Sequence, residues 1–173
     1  MAFVYVFAGA LVLLSRPRLP EVLAGAALVV IGESIRLWAA GHLVKSVRLV
    51  TSGPYAYTQN PLYLGRLAIL TGLAVAARVP GGWNLVALGI GWAVFFIYYL
   101  PRKLRVEGDR LRRLHGPAFD AYHGTVPILF PAPRRYPQAD RVPWSFRQMV
   151  RNQEPFVAAL LAAAIALLAF RTR

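Results

Sequence analysis

Residues 22–43 read VLAGAALVVIGESIRLWAAGHL, an apolar run interrupted only by Glu33, Ser34, Arg36 and His42. A helix needs about 20 mainly apolar residues to cross a bilayer, roughly 17 at the short end. This run qualifies, and it sets the reading of the rest. Trp83 to Leu100 qualifies equally, and Leu62 to Ala77 and Phe156 to Phe170 qualify with their flanks. Phe3 to Leu14 is the weakest run, either a span or an interfacial or tucked helix. No basic stretch precedes it and no small-residue cleavage site follows, so it does not read as a signal peptide. The expectation is an all-α, polytopic membrane helix bundle with about five spans, forming one domain over residues 1–173. Its composition agrees: 57% of residues are hydrophobic and 16% charged, outside the range of ordinary soluble domains.

The formal net charge is +13, and the basic residues crowd between Arg102 and Arg151, just after the fourth run. Basic segments beside spans stay in the cytoplasm and attract anionic headgroups. Membrane lipids are therefore the expected partners, and no nucleic-acid module accompanies the charge. This orientation puts the loops at 45–61 and 102–153 on the cytoplasmic face of a bacterial inner membrane. It leaves Arg16, Arg18, Arg171 and Arg173 outside, against the statistical rule. Cysteine is absent, which excludes disulfides and thiol chemistry. His42, His115 and His123 lack a metal-ligand spacing, so no metal site is expected.

Glu33 and Arg36 lie inside the second run. An intramembrane charge costs about 2.5–3.5 kcal/mol on insertion scales and marks functional candidates. Three residues apart on a helix, the two can pair. They form either a structural pair or the polar wall of a cavity. Arg66 sits one turn into the third run, where its side chain can snorkel to the interface.

Between the second and third runs stands Thr51-Ser52-Gly53-Pro54-Tyr55-Ala56-Tyr57-Thr58-Gln59-Asn60-Pro61-Leu62-Tyr63-Leu64-Gly65. Gly53-Pro54 predicts a turn and Asn60-Pro61 a helix start. That helix N-terminus can hold an anion; a turn with an aromatic belt fits the same residues. Arg102 to Phe119 reads as a cytoplasmic amphipathic helix interrupted at His115-Gly116-Pro117. Helical spacing puts Glu107 on the stripe of Leu104, Leu111 and Leu114, which predicts a buried carboxylate facing the Gly53–Gly65 loop. The alternative is a solvated Glu107 paired with Arg110 or Lys103. Residues 132–153 read as a Pro/Arg-rich cytoplasmic linker ending in an interfacial helix, and 154–171 as an additional C-terminal span.

Gly53-Pro54-Tyr55-x-Tyr57-x-x-Asn60-Pro61-x-Tyr63-x-Gly65 resembles the G-P-Y-x-Y-x-R-H-P-x-Y-x-G block of the isoprenylcysteine carboxyl methyltransferase and phospholipid methyltransferase families. Glu107-x-x-x-Leu111-x-x-x-x-Gly116-x-x-Phe119-x-x-Tyr122-x-x-x-Val126-Pro127-x-x-x-Pro131 resembles their second block. The segment Arg36-x-Trp38-Ala39-Ala40-Gly41-His42-Leu43-x-Lys45 is similar to small bacterial members. The resemblance spans residues 36–131 and implies a methyltransferase-like core. By that resemblance S-adenosylmethionine is the cofactor and a lipophilic small molecule the methyl acceptor. His42, Tyr55, Tyr57, Asn60, Pro61, Tyr63, Gly65, Glu107 and Tyr122 would bind the donor, and Arg102 and Glu107 would be catalytic. Gln59 for Arg, Gly108 for the second acid and His115 for Phe depart from the blocks. Those losses, with the extra C-terminal span, motivate an alternative: a non-catalytic accessory subunit among other membrane subunits.

Overall fold

The computed structural model describes residues 14–44 and 49–172, and the apolar run at 3–13 lies outside them. The regular structure among the described residues is all helical, with no strand. Helix α1 (Leu19–His42) opens with Pro20 and Glu21 in its first turn, a fixed φ and an acid that both suit a helix start. A short turn of helix at Gly53–Ala56 leads to α2 (Pro61–Ala77), where Pro61 takes the first helical position as predicted.

Helices α1 and α2 are antiparallel and touch backbone to backbone. A Cβ at Gly32 would lie 2.6 Å from the Gly65 carbonyl oxygen, and one at Gly72 would lie 2.5 Å from that of Gly25. Gly25 and Gly32 are separated by two helical turns, and so are Gly65 and Gly72. Small residues at this repeat let two helices approach closely where no hydrophobic effect drives them together. Val22, Ala76 and Leu168 close the bundle at the end where α1 begins.

The fourth run and the amphipathic helix, read as separate elements, are one continuous helix over Pro80–His115. It comprises a tight turn (Pro80–Gly82), α3 (Trp83–Val94), a widened turn (Phe95–Tyr99) and α4 (Leu100–His115). Pro101 explains the widened turn. Its ring clashes with the carbonyl one turn back, and an i→i−5 bond from the Leu100 amide to the Phe95 carbonyl makes room for it. At about 54 Å the whole helix exceeds a bilayer core, so α4 extends beyond any span.

Gly116, at φ +51°, breaks the helix before α5 (Pro117–Thr125), the interruption expected there. Residues 126–145 are irregular. Helix α6 (Phe146–Arg151) is capped by the Ser145 hydroxyl, which accepts from the Gln148 amide at 3.3 Å. Helix α7 (Glu154–Phe170) then returns along α1. Two helices, Leu19–His42 and Pro80–His115, are long and apolar enough to cross a membrane. Helices α2 and α7 are apolar but have 17 residues each. The all-α expectation holds; a five-span bundle is a finer statement than these helices establish.

Candidate functional site

The Gly53–Gly65 loop and the Glu107–Pro131 block meet at one end of the bundle, where α1 finishes. The loop is sewn to the second block through backbone carbonyls. The Thr58 hydroxyl donates to the Leu129 carbonyl at 2.8 Å, the Gln59 amide to Pro127 at 2.9 Å, and the Asn60 side chain to Ile128 at 2.9 Å. The Tyr122 hydroxyl donates to the Tyr55 carbonyl at 2.8 Å. Return bonds come from Ala132 to the Tyr57 carbonyl and from Tyr136 to that of Ala56, both 2.8 Å. The Pro-rich segment is irregular, yet it straps the loop down, and Tyr136 is buried beneath Ala56, Tyr122 and Val126.

Gln59 is the residue that sequence reasoning treated as a loss. Its side-chain amide donates to the carbonyls of Val126 and His123, and its oxygen faces His123 Nδ1 at 2.9 Å. An amide supplies donor and acceptor together, which the guanidinium expected there does not. No local signal reveals this, because the partners lie more than 60 residues away.

Between loop and α4 opens a cleft of about 400 Å³. Its walls are largely apolar, from Leu43, Leu62, Leu104 and Leu111. Its polar and charged groups include Tyr55, Gln59, Asn60, Lys103, Glu107 and Arg110. Tyr55 is 7% exposed, and its hydroxyl is buried without a hydrogen-bond partner. Burial pushes the Tyr55 phenol well above its usual range. Tyr122 and the Glu107 and Glu154 carboxylates add to this, and the Arg36 guanidinium opposes it. A neutral phenol held this way is a permanent donor, and a buried donor calls for an acceptor. Burial also raises the Tyr122 phenol, with Tyr136 adding to it.

Of the site residues expected from sequence, Tyr55, Asn60, Glu107 and Tyr122 line the cleft. The others lie outside its lining. His42 is buried, 3.2 Å from the Ser52 hydroxyl, with its ring against Gly53 at φ +58°. Tyr57 packs on Trp38 with ring centroids 6.4 Å apart. Pro61 starts α2, and Gly65 meets Gly32. The Tyr63 hydroxyl is 3.1 Å from that of Tyr99, and the Lys103 ammonium sits 4.1 Å above the Tyr63 ring. Arg102 is exposed, outside the cleft, and donates to the Tyr98 hydroxyl at 3.1 Å.

Glu107 corrects the expectation of burial. Its side chain is 48% exposed and pairs with Lys103 at 2.8 Å, one turn back. On that stripe Leu104 packs against Leu67, Leu100 and Leu129, while Glu107 and Leu111 line the open cleft, so a local cation suffices for Glu107. Gly108 also lines the cleft, and a Cβ there would meet only the Phe119 ring, at 4.0 Å. Among the described residues no three of His, Cys, Asp and Glu gather as a metal site.

No family model and no solved structure matches the chain. It is 33% identical over 98 residues, 56% of its length, to the nickel-cobalt-cadmium resistance protein NccN of Alcaligenes xylosoxydans xylosoxydans. It is 32% identical over 109 residues, 62% of its length, to the cobalt-zinc-cadmium resistance protein CzcN of Cupriavidus metallidurans. The chain spans less than half the length of these relatives, 43% and 46%. Both are named for metal resistance and neither as a methyltransferase. This overturns the methyltransferase resemblance and the methyl-transfer activity drawn from it, and the accessory-subunit alternative has no support here either. The structure supplies a physical reason for the misreading. Gly53, Tyr57, Pro61, Tyr63 and Gly65 satisfy turn, packing and helix-start demands of the scaffold, so they carry fold information without fixing a reaction. What the chain is similar to is a pair of metal-resistance proteins.

Proposed function

We propose that the chain is a membrane protein contributing to tolerance of divalent transition-metal ions, and that its working part is the cleft between the Gly53–Gly65 loop and α4. The process is taken from the relatives' names. The cleft reading rests on one observation: Tyr55, whose hydroxyl is buried without a hydrogen-bond partner, lines a largely apolar pocket. Those features suit an organic molecule with an apolar body and a hydrogen-bond-accepting head better than a bare metal ion, which wants several converging ligands. The cleft end would lie on the cytoplasmic face, where the basic residues of α4 favour retention. S-adenosylmethionine and a single-chain lipid amphiphile are the two ligands to titrate, as binding partners and without an assumed reaction.

The test is growth of a strain lacking this gene, complemented with the native chain or with Tyr55→Phe, on graded nickel, cobalt, zinc and cadmium. The native chain should restore tolerance, and Tyr55→Phe should lower it at equal membrane abundance. Restoration that is equal for both would defeat the cleft reading. No restoration by the native chain would defeat the resistance reading itself.

A further inference from the structure

At the opposite end of the bundle, where α1 begins and α2 and α7 finish, three chain segments each bring arginine to a single basin of about 1130 Å³. Arg16 and Arg18 precede α1, Arg78 ends α2, and Arg171 follows α7. The segments are tied by their backbones. The Arg16 amide donates to the Arg78 carbonyl at 3.1 Å, and the Arg171 guanidinium donates to the Ser15 carbonyl at 3.3 Å. Arg78 adopts φ +37°, a conformation uncommon for a residue with a side chain. No acidic residue is in the described lining; Glu21 approaches Arg78 from α1 at 3.4 Å.

We infer that this arginine basin binds the phosphate headgroup of an anionic phospholipid. Arg78 already meets Glu21 and Arg171 the Ser15 carbonyl, which leaves the exposed Arg16 and Arg18 guanidiniums to offer a phosphate paired N–H···O bonds at the edge of the cavity. The rim identifies the anion as a lipid's, not a free ion. Phe170 is 89% exposed and Leu14 65% exposed beside the arginines, and Leu19 and Leu23 present further exposed apolar surface on α1 below them. Acyl chains hanging from a bound headgroup would cover that surface, whereas inorganic phosphate would leave it in water. The basin lies about 36 Å from the cleft, the length of α1, which is one bilayer away. It also accounts for arginines that orientation by charge alone leaves on the wrong side: their role is to hold a headgroup on that leaflet. The inference is independent of what the cleft binds.

Native mass spectrometry of the full chain tests it, using an equimolar mixture of phosphatidylglycerol and phosphatidylcholine with identical acyl chains. Phosphatidylglycerol should be retained preferentially, and each arginine removed should cut that preference by about fivefold. Arg16→Gln/Arg18→Gln should therefore cut the preference by about 25-fold, with Arg18→Gln alone in between. Gly89→Ala, with open space at its Cβ and away from the basin, should keep the native preference. Parity in the native chain, or an unchanged preference in the double variant at native thermal stability, would overturn the inference. So would complete displacement of the lipid by millimolar inorganic phosphate, which would make the basin a soluble-anion site.

Discussion

Arg36 grips Glu154 across 118 residues of sequence, its Nη2 2.8 Å from both carboxylate oxygens and its Nε 3.1 Å from one of them. Glu33, the neighbour that spacing pairs with Arg36, stands 3.6 Å away, and both its oxygens are buried without a hydrogen-bond partner. One guanidinium thus lies between two carboxylates, and its fork serves only the distant one. The pair fastens the first turn of α7 to α1.

Removing one partner of a buried pair strands the other charge. Arg36→Leu or Glu154→Leu should lower stability by about 3–5 kcal/mol. Glu33→Leu should be neutral or stabilising, since it removes a carboxylate that has no hydrogen bonds. Thermal unfolding in a mild detergent separates the three, and a Glu33→Leu protein as damaged as Arg36→Leu would contradict the assignment.

The glycine seam makes a sharper geometric prediction. Gly65→Leu should prevent close approach of α1 and α2 and abolish folded protein in the membrane. Gly89→Ala, with open space at its Cβ, should be neutral or gain up to about 1 kcal/mol from helix propensity. Membrane yield and detergent-solubilised monodispersity report the difference; a well-folded Gly65→Leu protein would mean the seam does not bear on assembly.

Gln59→Ala removes both the donor to Val126 and His123 and the acceptor facing His123. The expected loss is about 1–3 kcal/mol, because half-buried groups at and just past the end of α5 are left unsatisfied. Hydrogen exchange should accelerate in residues 122–132 and stay unchanged in α7. Unaltered protection in that block would show that the clamp is dispensable.

Tyr55→Phe separates fold from function. The hydroxyl has no partner in the free protein, so its removal should leave thermal stability equal or slightly higher. Binding of a cleft ligand should weaken by about 5- to 100-fold, the range of one lost hydrogen bond at a buried donor. Isothermal titration with each candidate ligand measures this. A destabilised Tyr55→Phe with unchanged binding would mean the hydroxyl serves the scaffold.

Within a helix, side chains meet neighbours three or four residues away, so local pattern carries local structure. The apolar runs, the helix start at Asn60-Pro61, the break at Gly116-Pro117 and the placement of both motif blocks at one end were therefore legible in the residues alone. The seven-residue glycine repeats in α1 and α2 stand in the sequence as plainly. Resemblance of the blocks was a weaker guide, because residues that build a turn or a close contact look the same whatever the site does.

Only the tertiary structure decided who meets whom. Arg36 chose Glu154 over Glu33 because α7 delivers a carboxylate in the right plane, which no spacing along α1 encodes. Glu107 stayed exposed because it borders the open cleft with Leu111, beyond the point where Leu104 packs. Residues 132–145 became a strap because their amides found loop carbonyls. Near α6, the Trp144 indole and the Asn152 amide likewise donate to the Leu37 and Ala40 carbonyls of α1, at 3.1 and 2.9 Å. Such bonds satisfy helix-end groups with partners over a hundred residues away, and a one-dimensional pattern holds no record of that distance.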